Sequence, residues 1–485
     1  MNKNLLSICV LLSAHFGVVA QPLPHFRTVW GSGASFSQGS LRSYDAAGNF
    51  LGAQTLPVNA AQSVVLHPTG LVLVGTNASV LAFGPTGGVA FQLPVPSLRH
   101  LAVLPSGDIL TLQATFLTSP VLTRWNQGGI ALWSRPIPFP SAAAQPLPIR
   151  VDPSGTTWVA ASTGTIHGVD GSGLLLPILV SPATYIRDFH ADSQGSLWIL
   201  DQSGGAFALF RMTASLQVAT TFPLSANVIR MTLDAMDRPV LLVQSGSTAS
   251  RSVQTLQPAN GTVLSSATLA STSSYEDFAV DGNGVIWATA QNTNRLDIFD
   301  DFGNLLSGYQ GTVPALGPSA GDLTGVRLAT TLAPLGDLDL DAAPNREEIR
   351  LGADPFDGAI TPPTIQALGT LAPASILTLE CNFPGAAGTT FLLGASLSSG
   401  EILLPGRRLR AVPLAVDPFF LFWFSGANNL LSPVGTLDAQ GLAAKALALP
   451  NFPLGNVELH LAMVTLEAGS SSVGTLSRRL TLTIP

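Results

Sequence analysis

Val151–Ser162 reads VDPSGTTWVAAS, and the chain repeats it as ADSQGSLWILDQ from Ala191 and as VDGNGVIWATAQ from Val280. Each copy is a polar turn ending in Gly followed by an apolar run, so one strand ends, the chain reverses and the next begins. Aligning the turn glycines adds Gly70 and Gly107 to Gly155, Gly195 and Gly284, with Asp237 in the same place in LDAMDRPVLLV. The spacings, about 37 to 48 residues, are those of one four-stranded propeller blade. A second turn recurs about twenty residues later in each unit: YDAAG at Tyr44, FGPTGG at Phe83, WNQGG at Trp125, VDGSG at Val169, QPANG at Gln257 and FDDFG at Phe299. With the weaker RMTASL at Arg211 the count is seven units, and six or eight also fit a repeat this degenerate.

The first unit starts around Trp30, which aligns with Trp158, and therefore lacks its own innermost strand. An unpaired edge inside a ring is a liability. LTGVRLATT, Leu323–Thr331, is expected to supply the missing strand.

The Asp-x-x-Gly turn followed by Trp (Asp152, Gly155, Trp158; Asp192, Gly195, Trp198; Asp281, Gly284, Trp287) resembles the seven-repeat propellers of the NHL and streptogramin-lyase-like families. The resemblance implies a seven-bladed β-propeller. It leaves activity open, because propellers serve as binding scaffolds, lyases and lactonases alike. For these Asp and Trp residues the reading is structural: Asp forms the turn through its own backbone and Trp packs between blades.

The N-terminus carries Lys3, an apolar stretch from Leu5 to Val19, and Val18 with Ala20 at the positions of a cleavage site. Residues 1–20 are expected to be a secretory signal peptide, which makes the protein secreted or periplasmic. No later apolar run reaches the length of a membrane-spanning helix. Cys9 leaves with the signal and Cys381 stays as a lone, buried thiol in ILTLECNF. Charged residues are only 11% of the chain and the net charge is −7; beyond residue 20 the one lysine is Lys445. Nothing here forms a basic stripe, so nucleic acid is not an expected partner.

In a propeller the first strand of each blade lines the central channel. Residues seven and eight positions before each turn Gly, or its stand-in, then fall at one end of that channel: Gln62 and Ser63, Arg99 and His100, Leu147 and Pro148, Arg187 and Asp188, Ile229 and Arg230, Glu276 and Asp277. Arg99, His100, Arg187, Asp188, Arg230, Glu276 and Asp277 are the candidate ligand-binding residues, suited to an anionic or sugar-like ligand. The bland alternative is a self-neutralising network of Arg187, Arg230, Asp188 and Asp277. A streptogramin-lyase-like or lactonase-like hydrolytic site would draw on His100, Asp188 or Glu276, with His190 as a further histidine, yet no catalytic motif surrounds them.

GDLDLDAAPNREEIRLGADP, residues 336–355, spaces hard oxygen donors as a Ca²⁺ loop does: Asp337, Asp339, Asp341, the Ala343 carbonyl, Asn345 and Glu348 at positions 1, 3, 5, 7, 9 and 12. It resembles the single EF-hand-like, thrombospondin-type-3-like calcium repeat of secreted bacterial proteins. It departs from that pattern at position 6, where Ala342 replaces the usual Gly. A short helix over 345–351 is expected to follow.

Residues 332–359 thus read as a calcium-binding link between a propeller over 21–331 and a C-terminal β-sandwich over 360–485. The sandwich strands are expected at ILTLECNF, TTFLLGAS, RRLRAVPL, FFLFWF (Phe419–Phe424), VELHLAMVTL and RRLTLTIP. The order of these segments resembles an all-β domain at the C-terminus of secreted planctomycete proteins. The whole reads as a secreted scaffold for a protein or glycan partner, with structural Ca²⁺ and a C-terminal domain that offers attachment to the envelope.

Overall fold

The computed structural model describes residues 28–34, 37–44, 50–55, 61–84, 88–115, 119–139, 147–180, 185–310 (without 204, 214, 216, 235, 245–249, 271–274, 276, 282–283, 291–294 and 301), 343–351 and 363–484 (without 384–385, 401, 404–410, 425–431, 450, 452–454 and 467–472). Before Ser63 the backbone alone is described.

Among these residues seven antiparallel sheets follow one another from Thr28 to Gln310, the first with three strands and the other six with four. The chain is a β-propeller. Its three-stranded first sheet begins at Thr28–Ala34, as a unit that starts at Trp30 should. Leu323–Thr331, the expected fourth strand, lies outside the described residues, as does the signal segment. Consecutive sheets meet through their first strands, such as Ile186–Ala191 against Asn227–Leu233. The last strands lie outermost, with mostly exposed patterns such as that of Val218–Leu224.

Every sheet after the first buries both faces. In Leu197–Ser203, Leu197 and Ile199 join a cluster with Trp158 and Ile166 of the preceding sheet, while Trp198 and Leu200 join one with Met231 and Leu241 of the following sheet. Strict alternation therefore gives way to apolar runs in second strands such as Leu197–Ser203 and Pro239–Gln244, the pattern of a sheet covered on both sides. Another cluster unites Val64, Val74, Leu81 and Phe83 of the second sheet with Ala279, Trp287, Leu296 and Ile298 of the seventh, which packs the second sheet directly against the seventh.

The repeated motif is a hydrogen-bonded device. Asp192 Oδ1 accepts from Gln194 N (3.0 Å) and Ser196 N (2.8 Å), closing the turn, and its Oδ2 accepts from Trp198 Nε1 at 3.2 Å. Asp152 does the same for Trp158 (2.9 Å) and Asp281 for Trp287 (3.2 Å). The degenerate copy keeps the turn by other means: Asp234 Oδ2 accepts from Arg238 Nε at 2.7 Å in place of a tryptophan. Asp237 adopts the left-handed φ of 59° that Gly takes elsewhere, and its carboxylate accepts from Ser193 N (3.0 Å) and Ser193 Oγ of the neighbouring turn.

Between the second and third sheets His67 performs a similar role, donating from Nε2 to Gly107 O (2.8 Å) while Nδ1 accepts from Thr69 N (3.2 Å). Both ring nitrogens are occupied in the neutral form. Burial, against the opposing pull of the Gly107 carbonyl, holds the His67 pKa below the usual histidine value. Burial depresses that of His167 in the same way. The unfolded chain then binds protons that the folded one does not, so stability is full above about pH 6.5 and falls as pH drops below it, by at most about 1.4 kcal/mol per pH unit for each histidine. Melting temperatures from pH 7.5 to 5 should show this decline, with a shallower slope in His67→Gln.

The C-terminal unit has a three-stranded sheet (Thr364–Leu368, Ile376–Asn382, Leu442–Ala448) and a five-stranded sheet built on Val457–Leu466 and Thr390–Ser396. One core joins Leu377, Leu379 and Cys381 of the first to Phe391, Leu393, Leu461 and Met463 of the second, which makes a β-sandwich. Ile376–Asn382 alternates strictly between exposed and buried, as a strand with one face in water does. Cys381 is buried and its thiol is pushed up to about 11 by that burial, so it stays protonated and unreactive.

One strand expectation needs correction. FFLFWF is a helix, Pro418–Trp423. Asp417 caps it, Oδ1 accepting from Phe420 N at 2.7 Å, and Pro418 occupies the first turn, where a missing N–H costs nothing. Trp423 is turned into the sandwich core and donates to Leu393 O (2.7 Å). A six-residue apolar run has no period of its own, and the cap decided it. In RRLRAVPL the only strand residues described are Ala411 and Val412. Asp417 Oδ2 also accepts from Leu397 N (2.8 Å), Ser398 N (3.0 Å) and Ser398 Oγ (2.8 Å), tying the helix to the end of Thr390–Ser396. Asp417→Ala should cost about 2 kcal/mol, the upper end of the capping range, read as faster amide exchange in residues 390–423.

The expected helix after the calcium motif is present as Asn345–Leu351, here α1. It belongs to the C-terminal unit, Leu351 packing with Val464 and Leu476. Among the described residues no helix is long and apolar enough to cross a membrane.

Candidate functional site

The positions singled out at the starts of the first strands share a backbone feature. Ladder pairing skips a residue between Ala61 and Ser63, Leu98 and His100, Ile186 and Asp188, and Val228 and Arg230. Gln62, Arg99, Arg187 and Ile229 are thus the bulged residues of four equivalent strands. A bulge bends its strand and re-aims side chains, and such kinks recur beside binding sites.

The side chains there cross from strand to strand. Arg187 Nε donates to Ile229 O (3.3 Å) and its Nη1 to Gln202 Oε1 (2.9 Å), while Arg230 Nη1 donates back to Arg187 O (3.5 Å). Arg99 Nε donates to Ala114 O at 3.2 Å. Asp188 is buried and heavily engaged: Oδ1 accepts from Phe189 N (2.9 Å) and Arg150 Nη2 (3.3 Å), and Oδ2 from Met231 N of the next sheet (3.3 Å). Asp277 Oδ1 accepts from Phe278 N (3.0 Å). His100 is half-buried at the same end, and Glu276 lies outside the described residues.

Arg150 is the residue the spacing argument missed. Its Nε donates to Phe189 O (2.8 Å), and its Nη2 reaches both Asp188 and His190 Nε2, the latter at 3.0 Å. Burial lowers the Arg150 pKa most and the charges of Asp188 and Asp277 oppose that, whereas Arg230 adds to it. Arg150 and His190 occupy the same position, five before their turn glycines, in adjacent units. Residues in equivalent places on neighbouring first strands meet, and that rule would have found the pair. Because the guanidinium can only donate, His190 Nε2 accepts and its proton sits on Nδ1.

A second cluster lies in the seventh sheet, where the Tyr275 hydroxyl and Arg295 Nε (2.6 Å) both donate to Asp297 Oδ2. Asp297 is fully buried.

Of the calcium set, Ala343, Asn345 and Glu348 are fully buried. Asp337, Asp339 and Asp341 lie outside the described residues.

No family model matches the chain, and no curated protein matches it. Solved structures do. A streptogramin B lyase shares 15% identity over 53% of this chain and 85% of its own, with a TM-score of 0.44. Hydrazine synthase of Kuenenia stuttgartiensis shares 16% over 54% and 88%, also at 0.44. A functionally unknown protein of Desulfotomaculum acetoxidans shares 12% over 60% and 98%, at 0.49. Likeness at this level leaves the activities of those proteins their own.

Proposed function

We propose that the chain is an exported propeller scaffold that holds a protein or glycan partner, with a structural Ca²⁺ ion in the 337–348 loop and a sandwich that attaches it to the envelope. The observation that carries the scaffold reading is the state of Asp188. Its carboxylate accepts two backbone N–H groups and a guanidinium, one of the N–H groups from the next sheet. A carboxylate so bonded joins blades, and the lone pair of His190 Nε2 is likewise taken by Arg150. Neither is poised to move a proton.

The calcium reading rests on loop spacing and on the chemistry of the three described donors. A backbone carbonyl, an amide and a carboxylate are the hard oxygens that Ca²⁺ takes, and all three residues are shielded from water. The ion would supply the positive charge that offsets burial of the Glu348 carboxylate.

The mature protein, incubated with lactones, esters and streptogramin-type cyclic peptides with and without Mg²⁺, should show no turnover, and Asp188→Asn should lower its melting temperature. Turnover that Asp188→Asn abolishes without loss of stability would replace the scaffold with the alternative, a propeller lyase or hydrolase.

A further inference from the structure

Arg187 and Arg230 differ from Arg150 on the neighbouring inner strand. Arg150 has Asp188, whereas among the described residues no carboxylate lies within ion-pair distance of the Arg187 or Arg230 guanidinium. Among the described residues their hydrogen-bond partners are uncharged, the Ile229 and Arg187 carbonyls and the Gln202 amide oxygen. The reciprocal bonds hold two like charges beside each other on adjacent strands, both half-buried. Burial, and after it the charge of Arg230, pushes the Arg187 pKa down. The charges of Tyr185 and Asp188 oppose that shift, although Asp188 is itself bonded to Arg150 and to backbone.

Amides flank this pair. Gln202 accepts through Oε1 from Arg187, and Gln244 through Oε1 from Asn227 Nδ2 (3.4 Å), and among the described residues neither amide NH₂ group has an acceptor. Gln202 and Gln244 sit at matching ends of the second strands of the fifth and sixth sheets, Gln202 bonded through its N–H to Tyr185 O and Gln244 facing Asn227 in the register. Paired guanidiniums suit an oxyanion with two or more acceptor oxygens, and neutral NH₂ donors suit hydroxyl oxygens.

We infer that this end of the fifth and sixth sheets binds an acidic glycan, its carboxylate or sulfate between Arg187 and Arg230 and its hydroxyls on Gln202 and Gln244. This rests on the scaffold reading and names the class of its partner. Binding of trigalacturonate, a neutral galactotriose, inorganic sulfate and a hexaglutamate peptide to the mature protein is measured by calorimetry at moderate salt. Trigalacturonate should bind saturably and the neutral trisaccharide should not. Arg230→Gln, which gives up only a 3.5 Å backbone bond, should weaken binding about tenfold. Arg187→Gln should do the same, and Arg135→Gln, on an outer strand, should have no effect.

The inference is overturned by equal affinity in the arginine variants, by sulfate or hexaglutamate binding as tightly as trigalacturonate, or by no saturable binding at millimolar ligand. Binding that appears only in Glu276→Gln would also overturn it, by giving the anion's place to the chain's own carboxylate. Turnover of a bound glycan would refute the scaffold while leaving the site intact; absence of both binding and turnover would refute the site alone.

Discussion

Asp192→Ala should destabilise the propeller by about 3–5 kcal/mol, the range for removing one partner from a buried charged network. The side chain is wholly buried and serves four donors: the backbone N–H of Gln194 and Ser196, the Trp198 indole and Arg211 Nη2 (3.1 Å). Alanine leaves the Ser196 amide and the indole without acceptors, each at a desolvation cost of roughly 1–3 kcal/mol. The Arg211 guanidinium, stacked 5.3 Å from the Trp198 ring, loses its anion as well. Asp192→Asn separates the parts, because it keeps the turn acceptor and sets an NH₂ against the indole N–H. In a Trp198→Phe background that conflict vanishes, so the double mutant should lose less than the sum of the single changes in urea unfolding. Strict additivity would show that the Asp–Trp bond contributes nothing and that the motif is a turn signal alone.

Removing calcium should act on the other unit. With free Ca²⁺ a hundredfold above its dissociation constant, a site present only in the folded chain adds about 2.7 kcal/mol, or roughly 5–10 °C for a unit of this size. α1 packs through Leu351 on Val464 and Leu476 of the sandwich, so the loss on adding EGTA should appear as faster amide exchange in residues 457–476. Exchange in residues 61–310 should stay as it was. Glu348→Gln should abolish the calcium-dependent shift. Equilibrium dialysis that finds no bound Ca²⁺, or a shift that survives in Glu348→Gln, would remove the loop assignment.

Much of the propeller was legible because its decisive bonds are local. An Asp whose carboxylate caps amides two and four residues on leaves a signature inside five residues; Asp152 and Asp192 carry both bonds, and Asp281 accepts from Val285 N four residues on. The site was half legible for the opposite reason. Counting back from the glycines found Arg99, Arg187, Asp188 and Arg230, since first strands start in equivalent places. It passed over Arg150 because Leu147 and Pro148 fill the counted positions in that unit. Phe419–Phe424 was misread as a strand for lack of any period, although the Asp417–Pro418 cap stood beside it.

From its amino-acid order alone this protein was committed to short strands, to where each turn falls and to a repeat of blade length, because turn geometry and strand propensity act over a few residues. The order of the sheets followed from those, while the repeat left their number between six and eight. Only the tertiary structure decided which charges have partners. Asp188 meets Arg150 and Met231, and Arg187 meets Arg230, across separations of about forty residues. Electrostatic energy depends on distance in space, and folding the blades side by side sets those distances. That is why composition could nominate the polar ring, while the packed first strands bond Asp188 to Arg150 and to backbone and, among the described residues, place no carboxylate within ion-pair distance of Arg187 or Arg230.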